Sequence, residues 1–160
     1  MSLFLSLLRF ALRRAAEFTM AALALLTLAD VLGRYVFNVS VTGAVELTEV
    51  LMVGVIFVGI VMATLRREHV TVDLLPLPFG PTGRRAMAAL THLIAAGVSA
   101  LLGATSWAQG QTALLDSEQS TMLRLPLAPV VFFMSGMLFL NALVQLGTMW
   151  SDLRGRGADD

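Results

Sequence analysis

The residues of this 160-residue chain that can do chemistry are few, and most fall in pairs at helical spacing. Asp30 and Arg34 are four apart, Glu46 and Glu49 three apart, and His69 and Asp73 four apart beside Arg67. His92 stands alone. An embedded carboxylate can pass protons or ions, and a His–Asp pair can hold a metal or act as an acid–base couple. A plainer reading stands beside each: Asp30 and Arg34 neutralise one another, Glu46 and Glu49 favour a helix N-terminus, and His69 and Asp73 share a structural hydrogen bond. No cysteine and no lysine occurs, so thiolate ligands, disulfides, Schiff bases and a phosphate-binding lysine are excluded. No glycine-rich phosphate loop, HExxH pair or nucleophile elbow is present. The expectation is a non-enzymatic chain with no catalytic residue, no metal and no cofactor.

The elements that position these residues follow from composition. Hydrophobic residues make up 57% of the chain and charged residues 14%, where a soluble domain carries about 25% charged residues. The mean hydropathy is +0.80. An ordinary soluble enzyme, a disordered tail and a nucleic-acid binder are excluded. The 11 basic residues, all arginine, balance 11 acidic ones. Four stretches reach the length of about 20 apolar residues that a spanning helix needs: approximately 15–37, 45–65, 86–108 and 127–150. The fold class expected is an all-α integral membrane protein forming one domain over 1–160. Leu3, Phe4, Leu7, Leu8 and Ala11 recur at helical spacing ahead of Arg13 and Arg14, which predicts an amphipathic helix over 1–14 lying in the membrane surface; a simple extension of the first span is the alternative. The first stretch is too long for a cleaved signal, and Asp30 and Arg34 interrupt it.

Arginine placement predicts the orientation. Nine arginines flank the N-terminus, the second loop and the tail, and only Arg34 and Arg124 fall on the opposite side. Both termini are therefore expected in the cytoplasm. A charge at the bilayer centre costs about 2.5–3.5 kcal/mol on insertion scales, so Asp30 and Arg34 are expected to find partners: each other, or a neighbouring helix, where the short loop 38–44 makes an interhelical cluster of Arg34 with Glu46 or Glu49 geometrically easy. In the third span, Ala96, Ala100 and Ala104 repeat every four residues, with Ser99 and Gly103 one face over, a spacing that lets helices approach closely. The segment 109–125 reads as a polar loop, and Pro126 marks entry to the last span, within whose first turn proline is tolerated. Asn38-Val39-Ser40 matches a glycosylation sequon, but a turn asparagine is the better reading.

The order of these motifs resembles a known family. Asp30-Val31-Leu32-Gly33-Arg34-Tyr35-Val36-Phe37-Asn38 closes span one, and Gly43-Ala44-Val45-Glu46-Leu47-Thr48-Glu49 opens span two. Arg67-Glu68-His69-Val70-Thr71-Val72-Asp73 follows span two, and Ser120 and Thr121 precede Leu125-Pro126. The set resembles the small, DctQ-like membrane subunit of tripartite ATP-independent periplasmic (TRAP) transporters over nearly the whole chain. The family often has a tryptophan shortly after the span-four proline, where this chain has Leu127-Ala128-Pro129. The resemblance implies a bacterial inner-membrane scaffold. Its partners would be a large multi-span subunit holding the substrate and sodium sites, a periplasmic protein that delivers an organic acid, and the surrounding lipids, with no nucleic acid. Asp30, Arg34, Glu46, Glu49, Arg67, His69, Asp73, Ser120 and Pro126 are then candidates for partner contact or structural polar roles. Two rivals remain open: a stand-alone four-helix multidrug exporter using Glu17 or Asp30, and a membrane anchor of a respiratory complex.

Overall fold

The computed structural model describes residues 2–66 and 81–153. They form four helices: α1 (Ser2–Val36), α2 (Ala44–Leu65), α3 (Pro81–Leu115) and α4 (Ala128–Leu153). All four are long and apolar enough to cross a membrane. Their arrangement is a row rather than a closed bundle. α1 packs on α2, α2 on α4 and α4 on α3, and among the described residues no other pair of helices comes close. The spatial order is therefore α1–α2–α4–α3. One end of the row holds the start of α1 and the end of α2, and the other holds the loops 37–43 and 116–127. Those two ends are called here the basal end and the loop end.

The N-terminal segment is helical but is not a separate element. Residues 2–14 are the leading part of α1, which continues unbroken because neither glycine nor proline occurs before Gly33. Leu8, Leu12 and Ala16 turn inward onto Val58, Val61 and Leu65 of α2, and Met137, Leu140 and Val144 of α4 close the same cluster. This apolar cluster is the core at the basal end.

Helix ends are set by left-handed residues. The amide of Val39 returns to the Gly33 carbonyl (2.9 Å) with Asn38 at φ 56°, so Asn38 is indeed a turn residue. Gly43, at φ 75°, leads into α2, and a Cβ there would collide with the side chain of Leu123. α3 extends seven residues past the expected span, to Leu115, taking in much of the segment read as a polar loop. It ends in a Schellman motif: Ser117 is left-handed, its amide meets the Leu114 carbonyl (3.3 Å), and the Glu118 amide meets the Ala113 carbonyl (2.9 Å). Pro126 lies outside α4, in an isolated bridge with Gln119, and Pro129 is the proline in the first turn. The bridge forms because the Leu127 amide reaches the Glu118 carbonyl (3.1 Å) and the Ser120 amide reaches the Leu125 carbonyl (2.9 Å), folding 116–127 into a small hairpin.

Between α3 and α4 the backbones approach over small residues. The contact face of α3 is Ala96, Ser99, Gly103, Gly110 and Ala113, all buried, while Ala104 points outward. The expected alanine row is thus only partly used, and the serine–glycine row carries the contact. A Cβ on Gly103 would meet the Phe139 ring at 3.2 Å, and one on Gly110 would meet the Phe132 ring at 3.0 Å. Phe132 is also held edge-on by Trp107, with centroids 4.9 Å apart.

Candidate functional site

Among the described residues, polar groups gather in three clusters: two join helices distant in sequence, and one is local to α1 and the loop that follows it. The first, at the loop end, is built on Glu46, in the first turn of α2. Its Oε2 accepts from Ser120 Oγ (2.7 Å) and the Leu123 amide (2.8 Å), and its Oε1 accepts from the Met122 amide. Met122 donates across 2.6 Å. Ser120 Oγ in turn accepts from the Leu125 amide (3.1 Å). One carboxylate thereby fastens the α3–α4 hairpin onto the start of α2. Two successive backbone amides aimed at one anion form a small nest, and the position at the helix N-terminus favours the same charge.

The second is local to α1. Asp30 Oδ2 pairs with Arg34 Nη2 at 2.8 Å, and Asp30 Oδ1 accepts from the Val41 amide at 3.0 Å. The ion pair within α1 is present, and the same carboxylate also holds the 37–43 loop down. The alternative cluster of Arg34 with Glu46 or Glu49 is not formed. The reason is competition: Asp30 lies one turn away on the same helix face, and Glu46 is saturated by the hairpin. Most of the Arg34 side chain remains exposed (62%). Glu49 is exposed and makes no hydrogen bond or ion pair among the described residues.

The third lies inside the row; from sequence His92 stood alone and Ser99 was a packing residue, and the Thr64, Asn141 and Gln145 that join them were not singled out. Asn141 of α4 donates through Nδ2 to Ser99 of α3 (2.9 Å) and accepts through Oδ1 from the Thr64 hydroxyl of α2 (2.7 Å). One turn on, Gln145 Oε1 meets His92 Nδ1 at 2.6 Å, and Gln145 Nε2 lies 3.5 Å from Thr64 Oγ1. An amide oxygen only accepts, so the His92 proton sits on Nδ1 in this arrangement. Ser135, fully buried, donates to the Gly103 carbonyl (2.8 Å). In a lipid-surrounded interior every buried polar group must find a protein partner, and among the described residues no buried side-chain polar atom lacks one. The missed signal was the presence of Ser135, Asn141 and Gln145 inside an otherwise apolar span.

Of the remaining candidates, Pro126 is exposed in the hairpin, next to Leu125 and paired with Gln119. Arg67, His69 and Asp73 lie outside the described residues. No group of three His, Cys, Asp or Glu able to hold a metal occurs among the described residues. Glu17 and Asp30, the carboxylates an exporter could use, are both paired: Glu17 with Arg13 (2.8 Å) and Arg14 (3.2 Å), Asp30 with Arg34 (2.8 Å). The site is a set of fixed interhelical clasps, with polar capacity spent on holding helices together.

Comparison with known proteins gives one match. The family model described as the DctQ component of tripartite ATP-independent periplasmic transporters matches residues 2–155. No curated protein and no solved structure matches the chain.

Proposed function

Because this chain belongs to the DctQ component family of tripartite ATP-independent periplasmic transporters, we propose that it is the static scaffold subunit of an importer. Its partners are a large multi-span membrane subunit and a periplasmic binding protein, and its cargo is an organic acid driven inward by an ion gradient, sodium by family analogy. The chain resides in the bacterial inner membrane with both termini in the cytoplasm, as the arginine distribution favours. The observation that supports this reading best is the open row. Its polar side chains tie α2 to α4 and α4 to α3, and its broad faces stay apolar. Such a row is suited to bracing a larger partner.

On this reading Arg34 and Glu49 are the groups available for partner contact at the loop end, since Glu46 is committed to the hairpin. Charge reversal at Arg34 and Glu49 together should lower uptake and co-purification with the large subunit by more than Arg34→Gln alone, which breaks the same Asp30–Arg34 pair without reversing charge. Wild-type uptake by the double variant would remove them from the interface. Arg67, His69 and Asp73 are proposed to anchor the connection that follows α2; unchanged complex yield after His69→Ala and Asp73→Ala would end that proposal.

The test of the subunit reading is genetic. Deleting the chain in its native host should abolish uptake of the organic acid, and re-expression should restore it only when the large subunit is also present. Uptake by the large subunit alone would contradict it.

A further inference from the structure

The outer face of the α1–α2 pair holds an apolar groove of about 610 Å³, lined by Met20, Leu23, Ala24, Thr27, Leu28, Val31 and Val55. It shares one wall residue, Met20, with a polar mouth of about 440 Å³ at the basal end, whose walls include Arg13, Glu17, Gly59 and Arg66. We propose that this groove and mouth bind one anionic phospholipid, its phosphate held by the arginines and one acyl chain lying in the groove.

Three observations support that occupant. First, the charge at the mouth is lopsided. Among the described residues, Arg13 and Arg66 line the mouth beside one carboxylate, Glu17, which Arg14 also reaches, and Arg9 Nη2 lies 3.2 Å from the Leu65 carbonyl. Glu17 takes one nitrogen each from Arg13 and Arg14. A guanidinium has five N–H donors in a fork that fits phosphate oxygens, so both keep donors for a phosphate. Second, the groove is almost wholly apolar, and the proton of its one hydroxyl, Thr27, is already donated to the Leu23 carbonyl (2.8 Å). Third, the dimensions fit. From Met20 to Val31 the helix rises about 16 Å at 1.5 Å per residue, close to one leaflet, about half of a 30 Å hydrocarbon core. A free phosphate would have no use for the groove, and a neutral lipid none for the arginines. Basic pockets between spanning helices with adjoining apolar clefts are the usual setting for anionic headgroups. The inference rests on the helix pair alone and stands or falls independently of the transporter reading.

The test uses the full chain, delipidated in mild detergent and reconstituted in nanodiscs of equal phosphatidylglycerol and phosphatidylcholine, with retained lipid read by native mass spectrometry. The wild type should retain one phosphatidylglycerol in clear preference to phosphatidylcholine. Arg13→Gln with Arg66→Gln should lower that preference by about tenfold. Ala24→Phe with Thr27→Phe, which fills the groove from its open side and leaves every arginine in place, should lower retention as much. Equal retention of the two lipids by the wild type overturns the proposal. So does undiminished retention in the filled-groove variant, which would reduce the effect to surface attraction. Finding the groove covered by a co-purifying protein with no phospholipid retained would also overturn it.

Discussion

At the scale of single residues, the same type of side chain does different work according to what lies opposite. Glu46 and Glu49 look alike in sequence, three apart at one helix start. One is saturated by a hairpin 74 residues away, and the other is exposed. Their separation was legible as a pattern, but the partner was not, because the Glu46 contacts depend on the hairpin turning back over α2. Glu46→Ala should free the 116–127 hairpin, seen as several-fold faster proteolysis at that loop, whereas Glu49→Ala should leave cleavage unchanged. Equal protection in both would deny Glu46 its fastening role. The buried pair Asn141 and Gln145 makes the complementary case. Polar residues in an apolar span announce a need for partners, but only the row order says that Thr64, Ser99 and His92 supply them. Asn141→Leu should cost about 1–2 kcal/mol in detergent unfolding. Adding Ser99→Ala should cost less than its effect in the wild type, since the two share one hydrogen bond.

At the scale of elements, the number and type of helices followed from composition, while their ends did not. The four spans were legible because about 20 apolar residues leave a chain few alternatives. Boundaries shifted where packing overrode polarity. α3 runs on through Gln109 and Gln111 because Gly110 and Ala113 are buried on its contact face, with Gly110 against Phe132. The 2–14 segment continues into α1 with Leu8 and Leu12 packed on the basal cluster, while Leu7 stays exposed. The α3–α4 contact depends on glycine beneath aromatic rings. Gly110→Val should therefore overpack the contact and destabilise by about 1–3 kcal/mol, and Phe132→Leu in the same chain should recover much of the loss. Thermal melting in detergent reads both, and a Gly110→Val protein as stable as wild type would show the ring has room to move.

At the scale of the whole molecule, the feature least legible in sequence is the spatial order α1–α2–α4–α3. Hydropathy reports how many helices cross, and nothing in a span's own pattern names its neighbour. The absence of native cysteine makes the order easy to check. Cysteine pairs at Thr19 and Gly54, at Thr64 and Asn141, and at Ser99 and Asn141 should cross-link with a short reagent, while Thr19 paired with Ser99 should not. Cross-linking of that last pair would mean a closed bundle. An open row leaves wide apolar faces on α1 and α3, with Leu25, Ile94 and Leu101 each more than half exposed. Lipid can cover such faces, and so can a larger subunit.

The measurement that tests the central claim most directly is co-purification. The chain, tagged at its C-terminus in its native host and extracted in mild detergent, should bring down a large polytopic membrane protein in stoichiometric amount, and organic-acid uptake should be lost when either is deleted. Recovery of the chain alone or as a homodimer, with uptake unaffected by its deletion, would contradict the account.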